Sequence, residues 1–284
     1  MPNLREIISH IQSVSSIAQV TKAIEAVSTA KMRRLEARVR STRPFADGAW
    51  SVLNHVAAAA SGLEDNVYFR GHPHTERLGV LLFSSNRGLA GAYDHNVSNF
   101  AHRYLSNRGL PANLVTVGTM GREAMLRLGY QVHADLALDD RAQIEDLTPT
   151  AQLLMDGFQR GEFHEVVIIY TQYNYPARMQ PRARVLLPIT TERVEPRQYL
   201  FEPSPEALLL ALLPRVVRYQ VFAAYLESQA AEQSARMVAM HNATQNAEEL
   251  TGHLRLAYNK TRQQAITSEL LDIMSGMQGK ETSL

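Results

Sequence analysis

The chain has 284 residues, a length typical of about two domains, and its 45% hydrophobic content with 15 glycines and 12 prolines excludes a fibrous or largely disordered protein. The net charge of +1 does not indicate a polyanionic partner, and the absence of cysteine excludes disulfides, a thiol nucleophile and thiolate metal ligands. The opening MPNLREIISHIQSV lacks the basic and apolar regions of a signal peptide, and the longest apolar runs fall short of the roughly 20 residues of a membrane span.

Residues 1–60 are predicted to form one long helix. Its first turns carry apolar residues at helical spacing, namely Leu4, Ile7, Ile8, Ile11 and Val14. The pattern then continues with steps of three, four and three, the spacing of a coiled-coil seam, at Ile17, Val20, Ile24 and Val27. Further along, Pro44 and Gly48 are expected to bend or interrupt this helix.

The same predicted helix carries a basic strip, KMRRLEARVRSTR, from Lys31 to Arg43. It holds six basic residues and one acidic residue. Two interpretations stand side by side: a solvated helix face, or a docking surface for an acidic partner.

Residues 78–190 are predicted to form an α/β domain. Short apolar runs predict buried strands in LGVLLFSS, NLVTVG and EVVIIYTQYN, and a final edge strand, ended by Pro188, in RARVLLPI. The segments between them predict helices, and the last, TPTAQLLMDGFQRGEF, is expected to begin with Thr148 as N-cap and Pro149 at the first helical position. Strands that alternate with helices indicate a largely parallel sheet covered by helices.

From residue 204 the chain is predicted to be helical again. No proline follows Pro214, so one helix is expected to run from Arg215 to Met277, a length of roughly 95 Å at the usual rise per residue. Alternating steps of three and four define a seam of mostly small or polar residues: Met237, Met240, Thr244, Ala247, Thr251, Leu254, Tyr258, Thr261, Ala265 and Ser268. Such a seam allows close approach but little hydrophobic energy, which predicts one weakly held partner helix.

The fold class that follows is α/β, with a long antiparallel coiled coil of the N- and C-terminal helices and a central Rossmann-like domain. The expected division is a shaft helix over 1–60, the α/β domain with its linkers over 61–203, and a second shaft helix over 204–284.

One loop has the position of a phosphate-binding loop. SSNRGLAGAYDHN follows a predicted strand and precedes a predicted helix, and Arg87 could add positive charge. However, Gly88 and Gly91 do not form G-x-G-x-x-G, and no G-K-[ST] follows. Because Gly118 and Gly121 fail the same test, both segments are predicted to be tight strand-to-helix turns rather than cofactor sites.

No catalytic or metal-ligating pattern stands out. The ten histidines contain no H-E-x-x-H, and the predicted helices place His10, His241 and His253 at solvent or at an interface. The pair Asp139 and Asp140 is predicted to form a solvated turn. The residues therefore indicate a mechanical or interaction protein more than an enzyme.

Five segments, in order along the chain, carry a family resemblance. They are VTKAIEAVSTAKMRRLEARVRSTRPFAD, SSNRGLAGAYDHN, YNYPARMQPRARVLLPI, ESQAAEQSARMVAMHNATQNAEEL and YNKTRQQAITSELLDIMSG. They resemble the gamma subunits of F-type ATP synthases over essentially the whole length. The chain departs from that family where its first helix opens with Arg5 alone instead of several basic residues, and where Ile24 replaces a common methionine.

The resemblance implies a rotor shaft with no catalytic site, cofactor or metal of its own. The coiled coil would stand inside a ring of three alpha and three beta subunits. The α/β domain and an epsilon subunit would sit on a membrane c-ring, at the cytoplasmic face of a bacterial inner membrane. Proton flow would turn the ring and the shaft, and the shaft would change the nucleotide affinities of the beta subunits.

The same resemblance implies two contact regions. Thr261, Arg262 and Gln263 would meet a loop of a beta subunit, and Lys31, Arg33 and Arg34 would face an acidic beta-subunit loop. Polar contacts suit a shaft that passes three identical partners, because each fully buried aliphatic side chain would hold one orientation by roughly 1.5–3 kcal/mol.

Two other hypotheses remain open at this point. One is a nucleotide-binding enzyme of doubly wound fold with coiled-coil arms, which would bind a dinucleotide or ATP as an isolated chain. The other is a static coiled-coil adaptor, which would leave the ATPase rate of an alpha–beta hexamer unchanged.

Overall fold

The computed structural model describes residues 4–60, 66–174, 178–190 and 201–281. Along the chain, one long helix precedes and another follows a central series of strands and shorter helices. In chain order the elements are α1 (Leu4–Ala59), α2 (Val67–Arg70), β1 (Leu78–Phe83), α3 (Tyr93–Arg108), β2 (Ala112–Val117), α4 (Thr119–Arg127), β3 (Val132–Leu136), α5 (Ile144–Gln159), β4 (Glu165–Asn174), β5 (Arg178–Leu187) and α6 (Pro205–Glu281).

Neither long helix stops at its proline. α1 continues through Pro44 and Gly48, and α6 begins before the predicted Arg215 and continues through Pro214. An interior proline removes one backbone hydrogen bond and strains the preceding turn. Of the predicted bend or interruption at Pro44 and Gly48, the interruption is therefore wrong, because packing of α1 on the central domain outweighs this local cost.

The five strands form one sheet in the order β3-β2-β1-β4-β5. β1 to β4 pair in parallel, while β5 pairs antiparallel with β4 at the edge and ends immediately before Pro188. This confirms the predicted largely parallel sheet and its final edge strand. Side chains of β1 alternate between two layers: Leu78, Val80 and Leu82 pack with α3 and α4, whereas Leu81 and Phe83 belong to the core shared with α5, α1 and α6.

Two local predictions in this domain need correction. β3 was not predicted, because VHADL is a short edge strand of half-buried and exposed side chains without a continuous apolar run. α5 begins at Ile144 rather than after Thr148: Gln143 and Asp146 form a capping box there. Thr148 instead donates its hydroxyl to the Ile144 carbonyl from inside the helix, at 3.0 Å.

The chain divides into two compact units, to which both long helices contribute. We call residues 28–236 the sheet unit; the chain up to residue 27 and from residue 237 onward is the helix-pair unit. The three-part division of the sequence at residues 60 and 203 follows the element order and stays a prediction.

In the helix-pair unit, α1 and α6 run antiparallel. Thr21 and Thr244 share a hydrogen bond of 2.8 Å between their hydroxyls, and Glu25 pairs with His241 at 3.0 Å. The predicted α6 seam is confirmed from Met237 to Thr261, since each of its members is buried or half-buried. The small, polar residues of this seam therefore do face the partner helix.

The predicted apolar pattern of α1 is correct in its first turns, except that Ile8 is exposed, and the seam that continues it is largely wrong. Ile17, Val20 and Val27 are 55%, 59% and 56% exposed. Beyond Val14 the helix instead turns Ala18 and Thr21 inward, because alternating steps of four and three keep one face toward α6. Of the four predicted residues only Ile24 is half-buried. The other three form an exposed apolar stripe on the outer face of α1.

The register explains where the α6 seam ends. Thr21 lies opposite Thr244, so Leu4, the first described residue of α1, falls opposite Thr261. Ala265 and Ser268 are exposed, because no described residue of α1 lies opposite them. The seam pattern in the sequence thus extends further than the helix that covers it.

Part of α6 is apolar enough to resemble a membrane span. A stretch within Pro205–Leu271 passes that test by length and composition, although the separate apolar runs in the sequence do not, and half of the stretch is buried. Every residue from Gln220 to Gln233 is buried in the protein. The buried half of the apolar stretch is therefore covered by protein.

Candidate functional site

The place where a doubly wound fold binds its ligand lies between β1 and β4. The chain crosses there from one side of the sheet to the other, which leaves a crevice at the carboxyl ends of the strands. The loop SSNRGLAGA follows β1 at this edge and leads into α3. This loop is the sequence segment that resembled a phosphate-binding loop.

A carboxylate already occupies the anion position of that loop. Asp94, in the first turn of α3, accepts a hydrogen bond from the backbone N–H of Ser85 at 2.9 Å and another from the Ser85 hydroxyl at 2.6 Å. Helix N-termini attract negative charge because their N–H groups are free and the helix dipole is positive there. Asp94 lies in the first turn of α3, where the helix dipole favours its charge, and it accepts the N–H of Ser85 from the loop.

α6 covers the rest of the crevice. Tyr93 and Ser228 share a hydrogen bond of 2.7 Å between their hydroxyls, and Arg236 donates to the carbonyl of Arg87 at 2.8 Å. Arg236 also pairs with Glu232 at 2.6 Å, with both side chains almost fully buried. Burial raises the pKa of Glu232 above its usual range, and Arg236 opposes that shift.

We expect the isolated chain to bind neither ATP nor NAD at residues 84–95. The anion position is taken by Asp94, and the loop carbonyls face Arg236. Isothermal titration calorimetry of the chain with each nucleotide is expected to give no heat of binding in the micromolar range. Micromolar binding that disappears in the Arg87→Ala variant would contradict the closed crevice.

The basic strip of α1 makes contacts within the sheet unit. Lys31 and Arg34 both pair with Asp140, Lys31 at 3.0 Å, and the carboxylate is only 8% exposed. Burial acts to raise the pKa of Asp140, but Lys31 and Arg34 outweigh it and hold the pKa below its ordinary value. The prediction of a solvated turn is thus wrong for Asp140, because two cations make burial of this carboxylate acceptable.

Two further arginines of the strip are also engaged. Arg38 donates to the backbone carbonyls of Asp140 and Ala142 at 3.0 and 2.8 Å. Arg43 pairs with Glu227 at 3.0 Å. In contrast, Arg33 is exposed and has no polar partner among the residues that the structure describes. Of the three basic residues singled out in the sequence, Arg33 is therefore the one left open, while Lys31 and Arg34 stay 40% and 48% exposed beside Asp140.

The second predicted contact region lies on α6. Thr261 is half-buried at the end of the seam, while Arg262 and Gln263 are exposed on the adjacent face. These residues lie 25 to 27 positions along α6 from Arg236, in the helix-pair unit. The two predicted contact regions belong to different units.

Sequence reasoning missed Asp140, Glu227, Glu232 and Arg236. A signal existed for the last two: an acid and an arginine four residues apart, in a run of small uncharged residues, can pair on one helix face. No local pattern pointed to Asp140, whose partners are about a hundred residues away. Within the described ranges, no cluster of histidine and carboxylate side chains could hold a metal ion.

Comparison with known proteins gives a consistent result. The family model described as "ATP synthase" matches residues 3–279. The chain is 38% identical to the ATP synthase gamma chain of Roseiflexus castenholzii, covering 97% of this chain and 98% of that one. It is also 38% identical to the ATP synthase gamma chain of Dehalococcoides mccartyi strain 195, with the same coverage.

Solved structures show the same fold at lower identity. A chain of the Euglena gracilis mitochondrial ATP synthase, in an assembly described as OSCP/F1/c-ring, has a TM-score of 0.71 and 20% identity, covering 99% of this chain and 95% of that one. A central-stalk chain from the Tetrahymena thermophila mitochondrial enzyme has a TM-score of 0.60 and 20% identity, covering 79% and 99%.

The chain is an α/β protein with a doubly wound sheet, with α6 packed over the crevice between β1 and β4, and with two long helices that pair antiparallel. The relatives match this chain over nearly the whole length of both sequences, and they point to one family. The chain belongs to the ATP synthase gamma-chain family.

Proposed function

We propose that this chain is the central-stalk rotor of a proton-translocating F-type ATP synthase. It would couple rotation of a membrane c-ring to conformational change at the catalytic sites of the beta subunits. The observation that carries the proposal is the exposed polar face of α6 around Arg262, in a helix that no described residue of α1 covers beyond Thr261. Family membership supplies the context in which such a helix has a partner.

The shaft is proposed to hold no catalytic site of its own. Asp94 and α6 fill the crevice at which a doubly wound enzyme would bind its cofactor. Catalysis would belong to the surrounding subunits, and this chain would act through contacts that form and break as it turns. Its proposed partners are the alpha and beta subunits, an epsilon subunit and the c-ring, at the cytoplasmic face of a bacterial inner membrane.

Arg262 and Gln263, with Thr261 at the edge of the seam, are proposed to contact a beta-subunit loop. Arg262 presents a planar guanidinium that can make paired hydrogen bonds to a carboxylate or to backbone carbonyls. Both side chains point away from the helix-pair core, since each is exposed. A contact that must be released three times in every turn is served better by such polar groups than by an apolar anchor.

The double variant Arg262→Ala/Gln263→Ala is expected to assemble normally but to lower ATP turnover by about tenfold or more. A hydrogen bond to a charged group contributes about 1.5–3 kcal/mol, and about 1.4 kcal/mol changes a rate tenfold. The measurement is steady-state ATP hydrolysis by the reconstituted alpha–beta–gamma complex. Circular dichroism is expected to be unchanged, because neither residue contributes to the helix-pair core.

The matched control is Arg255→Ala, which removes an exposed arginine two turns earlier on α6. We expect this variant to keep normal turnover. Unchanged turnover and coupling in the double variant would refute the proposed contact. If the chain had no effect at all on hydrolysis by the alpha–beta ring, the static adaptor would be the better description.

The basic strip is proposed as a second contact, with an acidic loop of a beta subunit. Arg33 is its most available member, because Lys31 and Arg34 already share Asp140. Lys31 and Arg34 retain enough exposure to meet a second carboxylate at the same time. Exposed charges at such a surface act mainly on the rate of encounter and are weakened by salt.

A further inference from the structure

Polar side chains of the two long helices form ion pairs and hydrogen bonds with the segment between β3 and α5. Lys31 and Arg34 of α1 pair with the Asp140 carboxylate, and Arg38 donates to the Asp140 and Ala142 carbonyls. From α6, the Tyr225 hydroxyl donates to the Asp139 carbonyl. All of these residues belong to the sheet unit, so the segment is tied to both helices within one compact body.

A second set of polar contacts joins the long helices to β4, at another position along the sheet. Arg43 of α1 donates to the Tyr173 carbonyl in β4 at 2.8 Å, and Glu227 of α6 accepts from the Tyr173 N–H at 3.3 Å. Arg43 and Glu227 pair with each other as well. Strands β3 and β4 are separated by β2 and β1, which places them about 14 Å apart at the usual strand spacing, and the segment with Asp140 follows β3.

An extensive apolar core lies between the sheet and the helices, but apolar contacts do not fix the angle between them. Hydrophobic burial is non-directional, so apolar side chains can yield slightly when the sheet turns relative to the helices. Charge-assisted hydrogen bonds restrict both the distance and the angle between their groups. Two such sets of polar contacts, at separate positions along the sheet, resist rotation of the sheet relative to the helices. Apolar contacts alone would resist it less.

We propose that Asp140 is a positioning residue that makes the packing of the two long helices on the sheet torsionally stiff. Its buried carboxylate pairs with both Lys31 and Arg34, and Arg38 donates to the backbone carbonyls of Asp140 and Ala142. The proposal rests on the proposed rotor function, because this stiffness matters only if torque passes from the sheet to the helices. Torque applied to the sheet then turns α1 and α6 through nearly the same angle.

The test measures angular fluctuation in single rotor complexes. The alpha–beta ring is fixed to glass, and a gold rod is attached to the sheet domain through Ser106→Cys, an exposed position of α3 in a chain that has no other cysteine. The angular variance within each catalytic dwell reports the compliance between rod and ring. Because charge-assisted hydrogen bonds are roughly twice as strong as neutral ones, Asp140→Asn is expected to raise the variance by up to about twofold.

Two further variants separate stiffness from a general loss of structure. Asp140→Glu keeps the charge and is expected to keep the variance close to wild type. Glu162→Gln breaks the exposed Arg160–Glu162 pair of the same unit, which touches neither long helix, and is expected to leave the variance unchanged. A variance in Asp140→Asn equal to wild type, with normal rotation in both, overturns the proposal. Absence of rotation in the wild-type complex would instead overturn the rotor function itself.

Discussion

Replacing Arg236 with methionine is expected to lower the free energy of unfolding by about 3–5 kcal/mol, because it leaves the Glu232 carboxylate buried without its cation. Glu232 and Arg236 are 7% and 11% exposed, so water cannot replace the lost partner. Urea unfolding followed by the fluorescence of Trp50 measures this directly. Trp50 is the only tryptophan in the chain and packs against the main core of the sheet unit.

The double variant Glu232→Gln/Arg236→Met is the control for this effect. With no buried charge left, it is expected to recover most of the lost stability, although not the hydrogen bonds from Arg236 to the loop carbonyls. A double variant as unstable as Arg236→Met would show that the loop contacts, rather than the charge, carry the effect.

The stability difference between these two variants is expected to depend on pH. Burial raises the pKa of Glu232 in the folded protein above the ordinary value of 4.5. A group with a raised folded pKa favours folding below its ordinary pKa and loses that contribution as pH rises through the folded value. Removing Arg236 increases the shift, so the deficit of Arg236→Met should narrow as pH falls from neutrality toward 4.5.

Gly118→Ala is expected to destabilise the chain by about 2–6 kcal/mol, the sum of backbone strain and overpacking of about 1–3 kcal/mol each. Gly118 adopts a φ of +112°, and a Cβ there would lie 2.4 Å from the carbonyl oxygen of Ser84. Because that oxygen belongs to the backbone at the end of β1, it cannot move aside as a flexible side chain could. The same urea titration measures the loss.

Gly109 and Gly88 serve as graded controls for this substitution. Gly109 has a φ of +64° with nothing within 4 Å of an added Cβ, so Gly109→Ala pays only for the backbone conformation, about 1 kcal/mol. Gly88 has open space and no such φ, so Gly88→Ala is expected to be nearly neutral. Equal losses at Gly118 and Gly109 would contradict the close approach of Gly118 to Ser84.

The regular parts of this fold could be predicted from hydrophobic pattern alone. The runs that became β1, β2 and β4 are continuous and apolar because both faces of those strands are buried. The α6 seam was predicted residue by residue up to Thr261, because a two-helix contact imposes alternating steps of three and four.

The α1 seam was misjudged because the most apolar residues were assumed to face inward. Ile17, Val20 and Val27 are exposed, while Ala18 and Thr21 face α6. A contact between small residues, closed by a hydroxyl–hydroxyl hydrogen bond, leaves little hydrophobic signal in the sequence. Composition at the seam depends on how close the partner backbone comes, and that distance is a tertiary property.

The polar residues of the sheet unit were harder still to predict. The sequence predicts Asp140 to be a solvated loop carboxylate. Its burial is favourable only because Lys31 and Arg34, on a helix distant in sequence, pair with it. The start of α5 was misplaced for a similar reason, since the capping box of Gln143 and Asp146 competed with the equally plausible Thr148 and Pro149. The proposed contacts of Thr261, Arg262 and Gln263 stay predictions, because their partners are other chains.

The apolar stripe on the outer face of α1 has a consequence for how the protein is made in the cell. Ile17, Val20 and Val27 recur on one helix face and are more than half exposed. Exposed apolar patches of this kind cause free chains to self-associate. Newly made chain would thus be safest when its partners are present at matching amounts, and surplus chain would be lost to aggregation or proteolysis.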